Sequence, residues 1–239
     1  MIPPKKSLSQ NFLIDHNVSN KILKQTNIKN KTVLEIGPGY GFLTDKILSH
    51  HPKKLILIEK DIRLNKLLLK KYENNSKIII NCIDVLKFDF SNYENLIVIS
   101  NLPYNISTKI ILYLFNFNKK ISEMILMIQK EVSVKFDYNL NGMNKYKFLT
   151  KIVSVYTRCF DVSNKVFLPR PKIKSTVVKF KFNKEIIDLN KANKFSNLIF
   201  KNIRKKIKNN IQINESNEIV NKRVNQLNIN ELLYIYNFF

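Results

Sequence analysis

Cysteine, histidine and acid are all scarce in this chain. Its two cysteines, Cys82 and Cys159, lie far apart, and its three histidines do not cluster. Neither a metal-type spacing nor a disulfide framework can be assembled from them, so the expectation is a protein with no metal. Both cysteines fall in apolar segments and are expected as small core residues. No apolar run approaches the roughly 18 residues of a membrane span, and the N-terminus lacks the apolar stretch of a signal peptide. A soluble, cytoplasmic protein with no membrane partner is expected. Asp and Glu number 18 against 41 Lys and Arg, a net charge of +23. Such an imbalance favours a polyanionic partner, because neutralising phosphates releases counterions. Lys, Asn and Ile are abundant throughout, however, as in chains from AT-rich genomes, and that bias raises the lysine count without function. A membrane surface is the minor alternative.

The 239 residues, 44% of them apolar, suffice for one full α/β domain and a small appendage. Residues 1–14 read as basic and irregular, and Asp15 as the N-cap of a helix bearing Val18, Ile22 and Leu23. From Lys31, short apolar strands (Thr32–Ile36, Lys54–Glu59, Lys77–Cys82, Leu96–Ser100, Met124–Ile128) alternate with helical stretches (Phe42–Leu48, Ile62–Tyr72, Thr108–Phe117). That alternation implies a mainly parallel sheet covered by helices on both faces. A helix after Glu131, an exposed loop over Asn139–Lys147 and a helix over Phe148–Tyr156 are expected next. Strands around Cys159–Val162 and Ser175–Phe182 bring the sheet to seven and flank Phe167-Leu168-Pro169-Arg170-Pro171. Beyond, Phe195, Leu198, Ile199, Ile203, Ile207 and Ile211 recur at helical spacing, and Asn228 with Glu231 has the spacing of a capping box. The fold class is α/β and Rossmann-like, with domains at 1–184 and 185–239, the second small and all-helical.

Only four glycines are present, and three of them lie in Glu35-Ile36-Gly37-Pro38-Gly39-Tyr40-Gly41, where the first strand opens into a helix. Glycine lets a ligand approach the backbone there, although such a turn alone is a weak signal. Glu59 closes the second strand about 20 residues on, placed to accept ribose hydroxyls. Asp84 follows the third, placed for an adenine amino group. A ribose carboxylate without a phosphate-binding lysine motif suits S-adenosylmethionine. Dinucleotide binding also expects that carboxylate but leaves Asn101-Leu102-Pro103-Tyr104 unexplained. This tetrapeptide ends the fourth strand of the alternating series, as in amino-directed nucleic-acid methyltransferases. The amine of adenine is a poor nucleophile, because its lone pair is delocalised into the ring. An Asn101 oxygen and a nearby carbonyl can accept its hydrogens, aiming the lone pair at the methyl group, while Tyr104 stacks on the extruded base.

With these motifs, Gln10-Asn11-Phe12-Leu13, Asn105-Ile106-Ser107, Gln129-Lys130-Glu131, Phe167–Lys172 and Arg204-Lys205-Lys206 resemble the small-subunit ribosomal RNA adenine dimethyltransferases, the kasugamycin-sensitivity family, over nearly the whole chain. The resemblance implies that Asn11, Leu13, Gly37, Glu59, Asp84 and Asn101 contact S-adenosylmethionine. It implies that Tyr104 and Phe167 sandwich the target adenine, and that Arg204, Lys205 and Lys206 form a basic helical segment facing RNA. The implied activity is dimethylation of two adjacent adenosines near the 3′ end of small-subunit rRNA, by a monomer acting on an immature small ribosomal subunit. Ser9 and Lys147 stand where the family usually has glycine, and the C-terminal region is short.

Bland roles compete at several positions. Phe167 can pack under the proline-rich loop, Tyr104 can be a core aromatic, Asn11 can cap local structure, and Arg204–Lys206 can be a solvated face. Two rival functions are a large-subunit rRNA dimethyltransferase conferring antibiotic resistance and an organellar transcription factor derived from a methyltransferase.

Overall fold

The computed structural model describes residues 2–5, 8, 10–183, 185, 187–212 and 218–239. The variant position Ser9 lies outside them. Nine strands and eight helices are seen among the described residues. Seven strands form one sheet in the order β4-β3-β2-β5-β6-β9-β7. They are β2 (Thr32–Ile36), β3 (Lys54–Ile58), β4 (Ile78–Asn81), β5 (Leu96–Asn101), β6 (Ile121–Gln129), β7 (Ser154–Val162) and β9 (Ser175–Phe182). Pairs β2–β3, β3–β4, β2–β5 and β5–β6 are parallel, and β6–β9 is antiparallel. The apolar runs of β2, β3 and β5 are buried almost throughout, as strands covered on both faces should be. Chain order reverses on either side of β2, and α/β folds place ligands outside the strand ends at such a point.

The crossovers are α2 (Phe42–Ser49), α3 (Ile62–Lys71) and α4 (Ser107–Phe115). Asp15 caps α1 (His16–Leu23) by accepting from the Val18 N–H, as expected. The segment before it is not wholly irregular. Strand β1 (Phe12–Leu13) pairs antiparallel with β8 (Phe167–Leu168), tying the N-terminal segment to the proline-rich one. Two-residue strands carry no readable period, so only tertiary pairing reveals them.

Two compact units emerge, Met1–Ser133 with Thr157–Phe182, and Val134–Tyr156 with Asn183–Phe239. Residues 134–156 therefore group with the C-terminal segment rather than with the sheet domain. In the second unit, Phe148 of α6 (Lys145–Val153) packs against Phe195 of α7 (Leu189–Ile199) and Tyr236 of α8 (Ile229–Asn237), with ring centroids 5.0 and 5.3 Å away. The α8 capping box of Asn228 and Glu231 is present.

Several expectations are corrected. The helix expected over Phe148–Tyr156 begins at Lys145 and stops at Val153, where Ser154 turns extended and enters β7. Lys147 is not an exposed loop residue. It lies on α6, 2% exposed, with its ammonium donating to the carbonyls of Leu140, Asn141 and Gly142. The apolar stripe of 195–211 is not one helix, since α7 ends at Ile199 and Ile203 is 47% exposed. Backbone groups beyond it bond instead to 222–225, as in Ile207 N–H to Lys222 O and Asn225 N–H to Ile203 O. Cys82 is exposed, not core, because it lies just past the end of edge strand β4.

Candidate active site

A single pocket gathers the carboxyl ends of β2, β3 and β5 with the segment around β1. The glycine turn forms one wall, with left-handed φ values of 64° at Gly37 and 61° at Gly39. A Cβ on Gly39 would sit 2.6 Å from the Phe12 ring, whereas one on Gly37 would meet nothing within 4 Å. Gly37 thus leaves open space beside the backbone for a ligand, and Gly39 lets β1 close over the turn.

Glu59 follows β3 and is buried. Its Oε2 accepts from the Gly39 N–H at 3.3 Å and its Oε1 from the Asp61 N–H at 2.8 Å. Burial pushes its carboxyl above the ordinary value, although these N–H groups oppose the shift. Asp84 lines the pocket and meets the Lys60 ammonium at 2.7 Å. Burial raises its pKa, but Lys60 and the Leu86 N–H outweigh that and hold it low. Glu35 is fully buried against the Thr44 hydroxyl at 2.6 Å, and desolvation lifts its pKa to about 8.

Asn101 closes β5. Its Nδ2 donates to the Asn11 carbonyl at 2.9 Å, while its Oδ1 is a buried acceptor with no partner among the described residues. An orphaned acceptor is costly, of order 1–3 kcal/mol, unless a ligand donor satisfies it. Asn11 and Leu13 line the same pocket, and Leu13 pairs with Phe167 across β1–β8. Tyr104 is buried, its hydroxyl 2.6 Å from Ser175 Oγ, and burial raises its pKa. Phe167 is 3% exposed within the apolar core and meets Tyr104 edge-on, centroids 6.5 Å apart and planes at 75°. The two rings touch but do not frame a parallel slot, so a base between them requires the rings to part.

Arg204, Lys205 and Lys206 are exposed but lie in turns rather than on a helix, and Lys206 bridges to Arg223. Asp61 supports the site from outside the lining: its N–H holds Glu59, and its carboxylate caps α3 and binds Arg63 at 2.7 Å and Gln10 at 3.1 Å. The Arg63 guanidinium holds Asp61 well below the usual carboxylate range. Sequence reasoning missed it, although an acid two residues past Glu59, at a strand-to-helix turn, was an available signal. Ser175 was missed as well, and its 71-residue separation from Tyr104 left no local trace. No group of three or more metal-ligating side chains occurs among the described residues.

A family model for ribosomal RNA adenine dimethylase matches residues 3–237. The chain belongs to that family. By this membership it is an S-adenosylmethionine-dependent rRNA methyltransferase. A ribosomal RNA small subunit methyltransferase A from Hydrogenobaculum sp. (strain Y04AAS1) is 35% identical over 243 residues, covering 99% of this chain and 94% of the relative. The crystal structure of a dimethyladenosine transferase from Plasmodium falciparum superposes with a TM-score of 0.78 at 22% identity, over 95% of this chain and 100% of that one. The crystal structure of the 23S rRNA methyltransferase ErmE superposes with a TM-score of 0.72 at 18% identity, over 95% and 98%. At such identities these two structures establish the Rossmann-like methyltransferase fold alone.

Proposed function

We propose that the chain dimethylates the N6 amines of two adjacent adenosines near the 3′ end of small-subunit rRNA, within an immature small ribosomal subunit. The observation that carries this reading is the unpartnered Asn101 Oδ1, buried in the pocket that Glu59 and Asp84 also line. S-adenosylmethionine would supply an electrophilic methyl group there. Glu59 would accept its ribose hydroxyls and Asp84 its adenine amine, Gly37 would leave room for it, and Asn11 and Leu13 would wall it in. Asn101 Oδ1 would accept one hydrogen of the target amine and a neighbouring backbone carbonyl the other, fixing the lone pair toward the methyl group. Such catalysis rests on orientation and needs no strong base. Tyr104 and Phe167 would stack on the base once their rings part.

The helical segment at 185–239, with Arg204, Lys205 and Lys206, would contact rRNA phosphates and help choose the site. A cytoplasmic monomer suffices for this work. No helix among the described residues is long and apolar enough to cross a membrane. The 35% identity to a small-subunit enzyme over nearly the whole chain supports that substrate over the large subunit. The retained glycine turn, Glu59, Asp84 and Asn101 argue for catalysis over a purely DNA-binding role. The test is to incubate the protein and labelled cofactor with unmethylated small subunits, large subunits and naked rRNA, then map the modified base. Label on adjacent small-subunit adenosines is expected. Label confined to large-subunit rRNA, or no cofactor binding by calorimetry, would refute the proposal.

A further inference from the structure

Beside the target pocket the sheet carries an ion-paired cluster that methyl transfer does not use. β6 ends at Gln129, whose Cα partner on β9 is Ser175, the residue bonded to the Tyr104 hydroxyl. Lys130 comes next, and its backbone N–H donates to the Lys174 carbonyl at 3.1 Å. The Lys130 ammonium meets Asp161 Oδ2 at 3.0 Å. Arg158 Nη2 reaches both oxygens of the same carboxylate, at 2.6 and 2.8 Å. Thr176 Oγ1 donates to it at 2.9 Å. One carboxylate from β7 thereby fixes two cations, one beyond the end of β6 and one on edge strand β7, with a hydroxyl from β9. All four residues lie in the unit that holds the pocket.

Stability is a poor explanation for this cluster. The side chains of Lys130, Arg158 and Asp161 are 45%, 37% and 39% exposed, and ion pairs at such exposure contribute about 0–1 kcal/mol. Asp161 binds two cations at once, and Arg170, Lys172 and Lys174 are exposed on the neighbouring segment. An ammonium has three N–H donors, so a single carboxylate does not exhaust those of Lys130, and Arg158 presents its planar fork beside it. Cations held in a fixed geometry recognise phosphate oxygens at a lower entropic cost than free side chains do. Arg158 and then Lys130 hold Asp161 ionised, at a pKa of about 2, so the anchor persists at neutral pH.

We propose that Lys130 and Arg158, anchored by Asp161, form a phosphate-binding site for the rRNA strand flanking the flipped adenosine. The inference rests on the rRNA reading above and adds a contact on the catalytic unit itself, apart from Arg204–Lys206. Asp161 is a positioning residue in this scheme, and the two cations touch the substrate.

The test uses the full chain and unmethylated ribosomal subunits, titrated at several salt concentrations, with cofactor calorimetry and thermal melting alongside. The double substitution Lys130→Gln with Arg158→Gln should weaken subunit binding about tenfold and reduce the salt slope by roughly two, leaving cofactor affinity and melting unmoved. Asp161→Asn adds a positive charge, so diffuse electrostatics would tighten binding; the anchored site instead requires it to weaken by roughly threefold or more. Unchanged affinity and slope in the double variant, or tighter binding by Asp161→Asn, would overturn the proposal. Should wild type label only large subunits, the small-subunit reading fails, and the same titration on large subunits still decides this site. A wild-type protein that binds no rRNA would overturn both.

Discussion

The two halves of the pocket are built from different chemistry. The half we assign to the methyl donor carries buried or paired carboxylates, with Glu59 held by backbone N–H groups and Asp84 by Lys60. The half we assign to the acceptor is neutral: Asn101 and Tyr104 line it, held by an amide–carbonyl bond and a hydroxyl pair, while Phe167 lies in the core outside the lining and packs edge-on against Tyr104. Charge suits a cationic cofactor with ribose hydroxyls and an amine to bind. Neutral acceptors suit a weakly nucleophilic amine that needs orienting rather than deprotonating. Binding of the donor and reactivity of the acceptor should therefore separate under mutation.

Asn101→Ala should give the sharpest separation. Single-turnover transfer should fall about 10²–10³-fold, the scale of losing one preorganised polar contact, while the calorimetric Kd for cofactor moves less than tenfold. Glu59→Gln should do the opposite, raising that Kd about 10–100-fold with a smaller effect on the rate at saturation. Because the Glu59 pKa is raised and the carboxylate is the form that accepts ribose hydroxyls, cofactor affinity should weaken as pH falls through that raised pKa. Phe167→Leu should lower kcat/KM for subunits about tenfold, as loss of one stacking face would, leaving cofactor affinity intact.

Glu35 should affect stability more than either half's function. Its folded pKa is about 8 against an ordinary 4.5, because burial disfavours the charge. The folded state keeps a proton that the unfolded chain releases above 4.5. The stability it contributes is complete below about 4.5, declines as pH rises toward 8 and levels off beyond. Glu35→Gln should flatten that part of the melting-temperature profile.

The parallel half of the sheet, and the polar residues that line the pocket at its strand ends, were legible in the sequence because buried strands there are continuous apolar runs. Polar residues at their ends, Glu59 after β3 and Asn101 closing β5, stand out against them. What was hidden depends on partners distant in sequence. β1 pairs with β8 across more than 150 positions, and Ser175 finds Tyr104 through the β6–β9 ladder. The stripe from Phe195 to Ile211 misled because backbone pairing with 222–225 overrode helical periodicity. Lys147 misled because a lysine in a polar stretch gives no sign that three carbonyls await its ammonium.

Orientation without a base can be read from the pH dependence of single-turnover methyl transfer to unmethylated small subunits, at saturating cofactor and substrate. A rate constant essentially flat from about pH 6 to 9 is expected, with pH sensitivity confined to cofactor affinity. A rate constant that climbs about tenfold per pH unit through that range would show a general base at work and contradict it.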